Sequence, residues 1–221
     1  MNSKRRRGGV KRVYELLYGE YGPQNWWPGD TAVEVCIGAI LTQSTSWTNV
    51  EKAIGNLKER GLVDVRRIST TDESKLAELI RPSLYYNVKA RKLKEFARFV
   101  EVEYGGQVDD MLDADTEDLR EKLLGVWGIG PETSDSILLY ALGKPSFVVD
   151  AYTRRIFTRM GLLEGGESYE EIKLLFESAL EEDPRLYNEY HALIVEHGKT
   201  TCKTRPECET CCLEMLCDYK G

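Results

Sequence analysis

Leu124-Gly125-Val126-Trp127-Gly128-Ile129-Gly130-Pro131, continuing as ETSDSILLYALGKPSFVV to Asp150, is the stretch on which the fold of this chain turns. A short helix capped by Asp115 or Thr116 ends at Gly125. Gly128 and Gly130 then let the backbone turn tightly and expose bare N–H groups, and Pro131 suits the first turn of a helix reaching about Leu142. The positive end of that helix adds to the exposed amides, a combination that suits a phosphate. Gly143-Lys144-Pro145 stops the helix, and Val148-Val149 leads into Asp150, which precedes a further helix to about Met160. Two glycines that merely join helices, and an aspartate that merely caps one, would read the same way in isolation.

Working outward, the periodicity stays helical and shows no alternating strand run. Gly29-Asp30 opens an apolar helix over about 31–43, and Thr48 with Glu51 forms a capping box for a helix to about Arg60. A third helix ends before Pro82, Asn87 caps an amphipathic segment to about Tyr104, Ser168 with Glu171 caps a helix to about Leu180, and Tyr187 to Lys199 forms the last. No internal repeat is present. The expected architecture is all-α and two-lobed: an arm over 1–30 packing with the C-terminal lobe, a helical lobe over 31–148 containing the glycine hairpin, and C-terminal helices with a cysteine loop over 149–221.

With 221 residues and 42% hydrophobic content the chain can build a real core. It has no apolar run long enough for a membrane span and no secretory leader, so a cytoplasmic, monomeric protein with no membrane partner is expected. Its net charge of -7 argues against a nucleic-acid partner until the distribution is considered. Eight acids and no base lie between Arg98 and Arg120, and a second acidic block spans Glu164 to Asp183. Bases gather instead in Lys4–Arg12, Lys89–Arg98 and Arg154–Arg159, which leaves room for one positive face on an acidic body.

Cys202, Cys208, Cys211 and Cys217 are separated by five, two and five residues within the last twenty. In a reducing compartment so compact a set points to a metal centre, and spacing alone leaves a [4Fe-4S] cluster and a four-cysteine zinc site open. Cys36, in an apolar helix, reads as core.

The segment from Leu124 to Asp150, with the Leu41-Thr42-Gln43 helix end before it and His197-Gly198 and the cysteine tail after it, resembles the endonuclease III superfamily of DNA glycosylases. The resemblance implies a two-lobed, helix-hairpin-helix fold that holds double-stranded DNA while a damaged or mismatched base is rotated into the cleft between lobes. It assigns Gly128 and Gly130 to the DNA backbone, and Asp150 to the chemistry. A carboxylate there stabilises oxocarbenium character as the N-glycosidic bond breaks, or orients the attacking water. Members that also cut the strand carry an imine-forming lysine two residues after the second hairpin glycine. Here that residue is Glu132, which implies a monofunctional hydrolase with Glu132 as a possible second carboxylate. The tail resembles the family's [4Fe-4S] loop, although it has five rather than the common six residues between the first two ligands and a spare thiol, Cys212.

Asn25-Trp26-Trp27-Pro28 and the run from Ile40 to Trp47 resemble the 3-methyladenine branch, in which aromatic side chains frame the base pocket. Trp26, Trp27 and Trp47 are the corresponding candidates here, and a cationic alkylated purine would suit such electron-rich faces. Gln43 is the candidate to enter the gap left by the flipped base. The alternatives are, in order, a uracil or mismatched-thymine glycosylase, an oxidised-pyrimidine glycosylase with lyase activity, a non-catalytic DNA-binding module, and an electron carrier. His191 and His197, six apart, are assigned no catalytic or metal role.

Overall fold

The computed structural model describes residues 3–26 and 29–219. It is all-α, with no strand among the described residues, and no helix is long and apolar enough to cross a membrane. The chain divides into two compact units, residues 27–144 and residues 1–26 with 145–221.

The first unit is built on α2 (Ala32–Leu41), whose Cys36, Ile37, Ile40 and Leu41 are buried. Thr31 caps it, its side chain accepting from the Glu34 amide. Around it lie α3 (Trp47–Glu59), α4 (Val65–Thr70), α5 (Glu73–Leu79), α6 (Tyr86–Tyr104), α7 (Thr116–Gly125) and α8 (Pro131–Ser136). The long α6 buries Leu93, Phe96, Ala97 and Val100, the i, i+3, i+4, i+7 stripe of an amphipathic helix. Beyond α8 the helix widens into a π-helical turn, Ile137–Ala141, that keeps Ile137 and Leu138 in the core.

The second unit joins the N-terminal α1 (Ser3–Tyr21) to α9 (Ala151–Arg159), α10 (Tyr169–Ala179) and α11 (Pro184–Thr200). Its centre is aromatic. Phe147 stacks on Phe176 at 4.2 Å, Phe157 meets Phe176 edge-on, and the Tyr190 hydroxyl donates to the Val10 carbonyl at 2.7 Å. The sequence reads the N-terminus as a basic arm, but it is a full helix burying Val10, Val13 and Leu17. Gly8 and Gly9 obscure this in the sequence. A Cβ at Gly9 would lie 2.5 Å from Leu162 Cδ2, so the glycine serves close packing.

Three helix starts differ from expectation. α3 begins at Trp47 after an extended Ser46, which puts Thr48 inside the helix rather than at a capping box. α6 is preceded by a left-handed Tyr85, so Asn87 lies in its first turn and caps nothing. α11 starts at Pro184, with Asp183 accepting from the Arg185 amide. The Ser168–Glu171 box is formed, side chain to backbone in both directions.

Candidate active site and cysteine loop

The glycine hairpin joins α7 to α8 in the first unit. Val126 and Ile129 turn into the core and pin the loop, while Trp127 is 45% exposed with the Arg91 guanidinium over its ring at 4.1 Å. Gly128 has φ +86°, and a Cβ there would sit 2.5 Å from Lys92 Cγ. Gly130 is ordinary extended backbone facing open space, and its carbonyl accepts from the Ser134 amide at 2.9 Å as α8 begins. Conformation therefore demands glycine at 128, whereas at 130 glycine keeps the approach to the helix start clear. Gly128→Ala should destabilise the chain by about 1–2 kcal/mol from the left-handed backbone alone, with Lys92 displaced in addition. A fall in urea midpoint reads this directly.

A buried bridge clamps the two hairpin helices. Arg120 on α7 donates from Nε to Asp135 Oδ1 at 2.7 Å and from Nη2 to Oδ2 at 3.1 Å, and the Asp135 side chain is fully buried. Gln43 ties the loop to α2, its Nε2 donating to Thr133 Oγ1 at 2.8 Å and to the Gly128 carbonyl at 3.3 Å. Lys92 Nζ donates to Gln43 Oε1. The Gln43 amide is thus engaged at both ends, its nitrogen on the hairpin and α8 and its oxygen on Lys92 of α6.

A more exposed feature lies before α6. Leu84 (φ +61°, 50% exposed) and Tyr85 (φ +46°, 69% exposed) are consecutive non-glycine residues in left-handed territory, and both large side chains face solvent. Beneath them the buried Lys89 donates to the carbonyls of Leu41 at 2.8 Å and Ser83 at 2.5 Å, and burial pushes its ammonium down to about 8. Sequence offers no signal for this pair, because neither residue type announces a positive φ.

In the second unit, Asp150 is the N-cap of α9. Its Oδ1 accepts from the Thr153 amide at 2.7 Å and the Thr153 hydroxyl at 2.9 Å, while Oδ2 faces His191 Nε2 at 3.6 Å. Burial would push this carboxyl up, but His191 and the two Thr153 donors outweigh it and hold the carboxyl below its ordinary value. The Tyr169 hydroxyl accepts from the Val149 amide at 3.3 Å and steadies the preceding residue. Sequence reasoning missed His191, yet a signal exists: Tyr187, His191, Ile194 and Gly198 form one buried stripe of α11, and a histidine on such a stripe needs a polar partner.

The aromatic candidates separate. Trp26, half-buried, stacks on His191 with rings 15° from parallel and 5.8 Å apart, and so stands beside Asp150 within the same unit. Trp47 packs on Gly38 of α2 at the edge of the other unit's core. Trp27 lies outside the described residues. Glu132 is exposed in the first turn of α8, where an acid complements the helix dipole.

Cys202, Cys208, Cys211 and Cys217 line one pocket together with Arg159, His197 and Leu213, and none is in a disulfide. Among the described residues, no three His, Cys, Asp or Glu side chains surround one point as a single ion requires. Four thiols lining one pocket are a donor set whose chemistry fits an iron–sulfur cluster. Cys212 does not line this pocket, and burial followed by Cys211 pushes its thiol up to about 11. Cys36 is fully buried in α2, its thiol pushed far up by burial. Two arginines of α9 grip the loop: Arg155 donates to the Cys202 and Gly198 carbonyls, and Arg159 to Cys202 Sγ at 3.2 Å and to the Lys203 and Thr204 carbonyls. Of the loop's basic residues, Lys203 is paired with Glu207.

Residues 37–182 match the family model described as "HhH-GPD superfamily base excision DNA repair protein". A Methanocaldococcus jannaschii protein, provisionally named as a DNA repair glycosylase, is 50% identical over 94% of this chain and 95% of its own. The Helicobacter pylori 3-methyladenine DNA glycosylase MagIII, solved with 1,N6-ethenoadenine bound, is 30% identical, with a TM-score of 0.74 over 90% of this chain and 98% of its own. A non-covalent endonuclease III–DNA complex shares the fold, with a TM-score of 0.83 at 19% identity over 96% and 95% of the two chains. The helical architecture and the glycine hairpin are those of this family: the chain belongs to the HhH-GPD superfamily of base excision DNA repair proteins, and is a DNA N-glycosylase.

Proposed function

We propose that this glycosylase is monofunctional, releasing an alkylated purine from duplex DNA by hydrolysis, and that it works as a monomer. Two observations support the reading: Asp150 is ionised and rigidly capped, and the residue two positions after Gly130, where a strand-cutting relative would need an amine, is the carboxylate Glu132. Asp150 Oδ1 is consumed by Thr153, which leaves Oδ2 for the developing positive charge on the sugar or for the attacking water. In this reading the open helix start at Gly130 and the amides around Gly128 take the DNA backbone, and exposed Leu84 and Tyr85 provide the apolar wedge that fills the space vacated by the flipped nucleotide.

Trp26, already stacked on a histidine ring, offers a flat electron-rich surface to a cationic base, and the likeness to an enzyme that acts on 3-methyladenine supports alkylated purines over other lesions. The Cys202, Cys208, Cys211 and Cys217 thiolates would hold a [4Fe-4S] cluster, which would shape the loop that carries Arg205, next to Lys199 in the last turn of α11, toward phosphate. The test is a panel of duplexes carrying 3-methyladenine, uracil opposite guanine, mismatched thymine or thymine glycol, with released base measured by chromatography. The expected result is fastest release of 3-methyladenine. Preferential release of uracil or mismatched thymine would transfer the substrate assignment to them.

A further inference from the structure

The C-terminal turn of α11 aims a histidine at the cysteine loop. His197 is buried, and both its ring nitrogens are engaged: the Tyr21 hydroxyl is 2.9 Å from Nδ1, and Cys211 Sγ is 3.7 Å from Nε2. The Tyr21 oxygen is also 3.0 Å from Thr201 Oγ1. When Thr201 donates to Tyr21, the tyrosine's own proton goes to Nδ1, and a ring that accepts at Nδ1 carries its hydrogen on Nε2. In that arrangement the relay ends in an N–H directed at Cys211 Sγ. Arg159 directs a separate N–H at a different sulfur, that of Cys202.

We propose that the Tyr21–His197 pair sets the reduction potential of an iron–sulfur cluster held by the four cysteines, with His197 hydrogen-bonding Cys211 Sγ and Tyr21 acting as the positioning residue that fixes the tautomer. The inference rests on the cluster reading given above. An N–H donor stabilises a ligand sulfur more when the cluster is reduced and electron-rich, so it raises the potential, and losing the donor lowers it.

The test is an EPR-monitored redox titration of the full-length, cluster-loaded protein, with iron and sulfide content measured on each sample. His197→Phe should lower the ratio of reduced to oxidised cluster at a fixed poise by about tenfold, about 59 mV for a one-electron couple. Tyr21→Phe should move it in the same direction by less, and His197→Gln, which restores an amide donor, should recover most of the shift. A purely structural histidine would show no such rescue. An unmoved potential in His197→Phe and Tyr21→Phe, with iron content retained, overturns this inference and leaves the cluster reading standing. Wild-type protein without iron or sulfide after anaerobic reconstitution overturns both. Where His197→Phe fails to load, Tyr21→Phe decides, and an unmoved potential there overturns the inference.

Discussion

Asp150→Asn is expected to slow base release by about 10²–10³-fold while leaving the fold intact. Asparagine caps a helix as well as aspartate does, and its side-chain oxygen can still accept from the Thr153 amide and hydroxyl. What is lost is the charge at Oδ2, which faces His191. Single-turnover rates and thermal melting, measured together, separate the two roles. Unchanged rates would reduce Asp150 to a cap. The pH dependence follows from the same contacts. Because the folded carboxyl is held below its ordinary value of about 3.9, the stability it contributes is fully present above that pH and is lost only as pH falls through the lower folded value. Asp150 therefore stays ionised throughout pH 5–8, and an acid limb near pH 6 that disappears in Asp150→Asn would contradict the assignment.

The largest effect on stability is expected at Asp135→Ala. Removing Asp135 takes a bidentate carboxylate partner from a guanidinium whose side chain is only 11% exposed, at a cost of about 3–5 kcal/mol. Because the bridge joins α7 to α8, the loss also loosens the hairpin, and duplex binding should weaken along with the urea midpoint. Replacing both residues with leucine should return much of the stability, because no unpaired charge then remains buried. That double variant should still bind duplex poorly if the bridge also fixes the hairpin's angle.

Several features that depend on neighbouring residues were legible in the sequence, although the Thr48–Glu51 box and the Asn87 cap did not form. Pro131 after two glycines, Asp150 before Ala151, and Ser168 with Glu171 each act within one helical turn, and the structure forms the helix starts they imply. Asp150 as a cap and Asp150 as an ionised group proved to be one arrangement, since the Thr153 donors serve both. Pairings across the chain were not legible. Arg120 with Asp135, Gln43 with Lys92 and Asp150 with His191 require knowledge of which helices touch. Trp26 and Trp47 looked alike in sequence and differ in place, one stacked on His191 and the other packed on Gly38. The N-terminal helix reads as an arm in the sequence, and the role of Gly9, contact with Leu162, depends on a partner far along the chain.

The central claim is that water, not an amine of the enzyme, displaces the base. Incubating the protein with a duplex carrying a single 3-methyladenine, in the presence of borohydride, tests it most directly. The account predicts base release with an intact strand that breaks only on later alkali, and no covalent protein–DNA adduct. A borohydride-trapped adduct, with strand cutting before alkali, would contradict it.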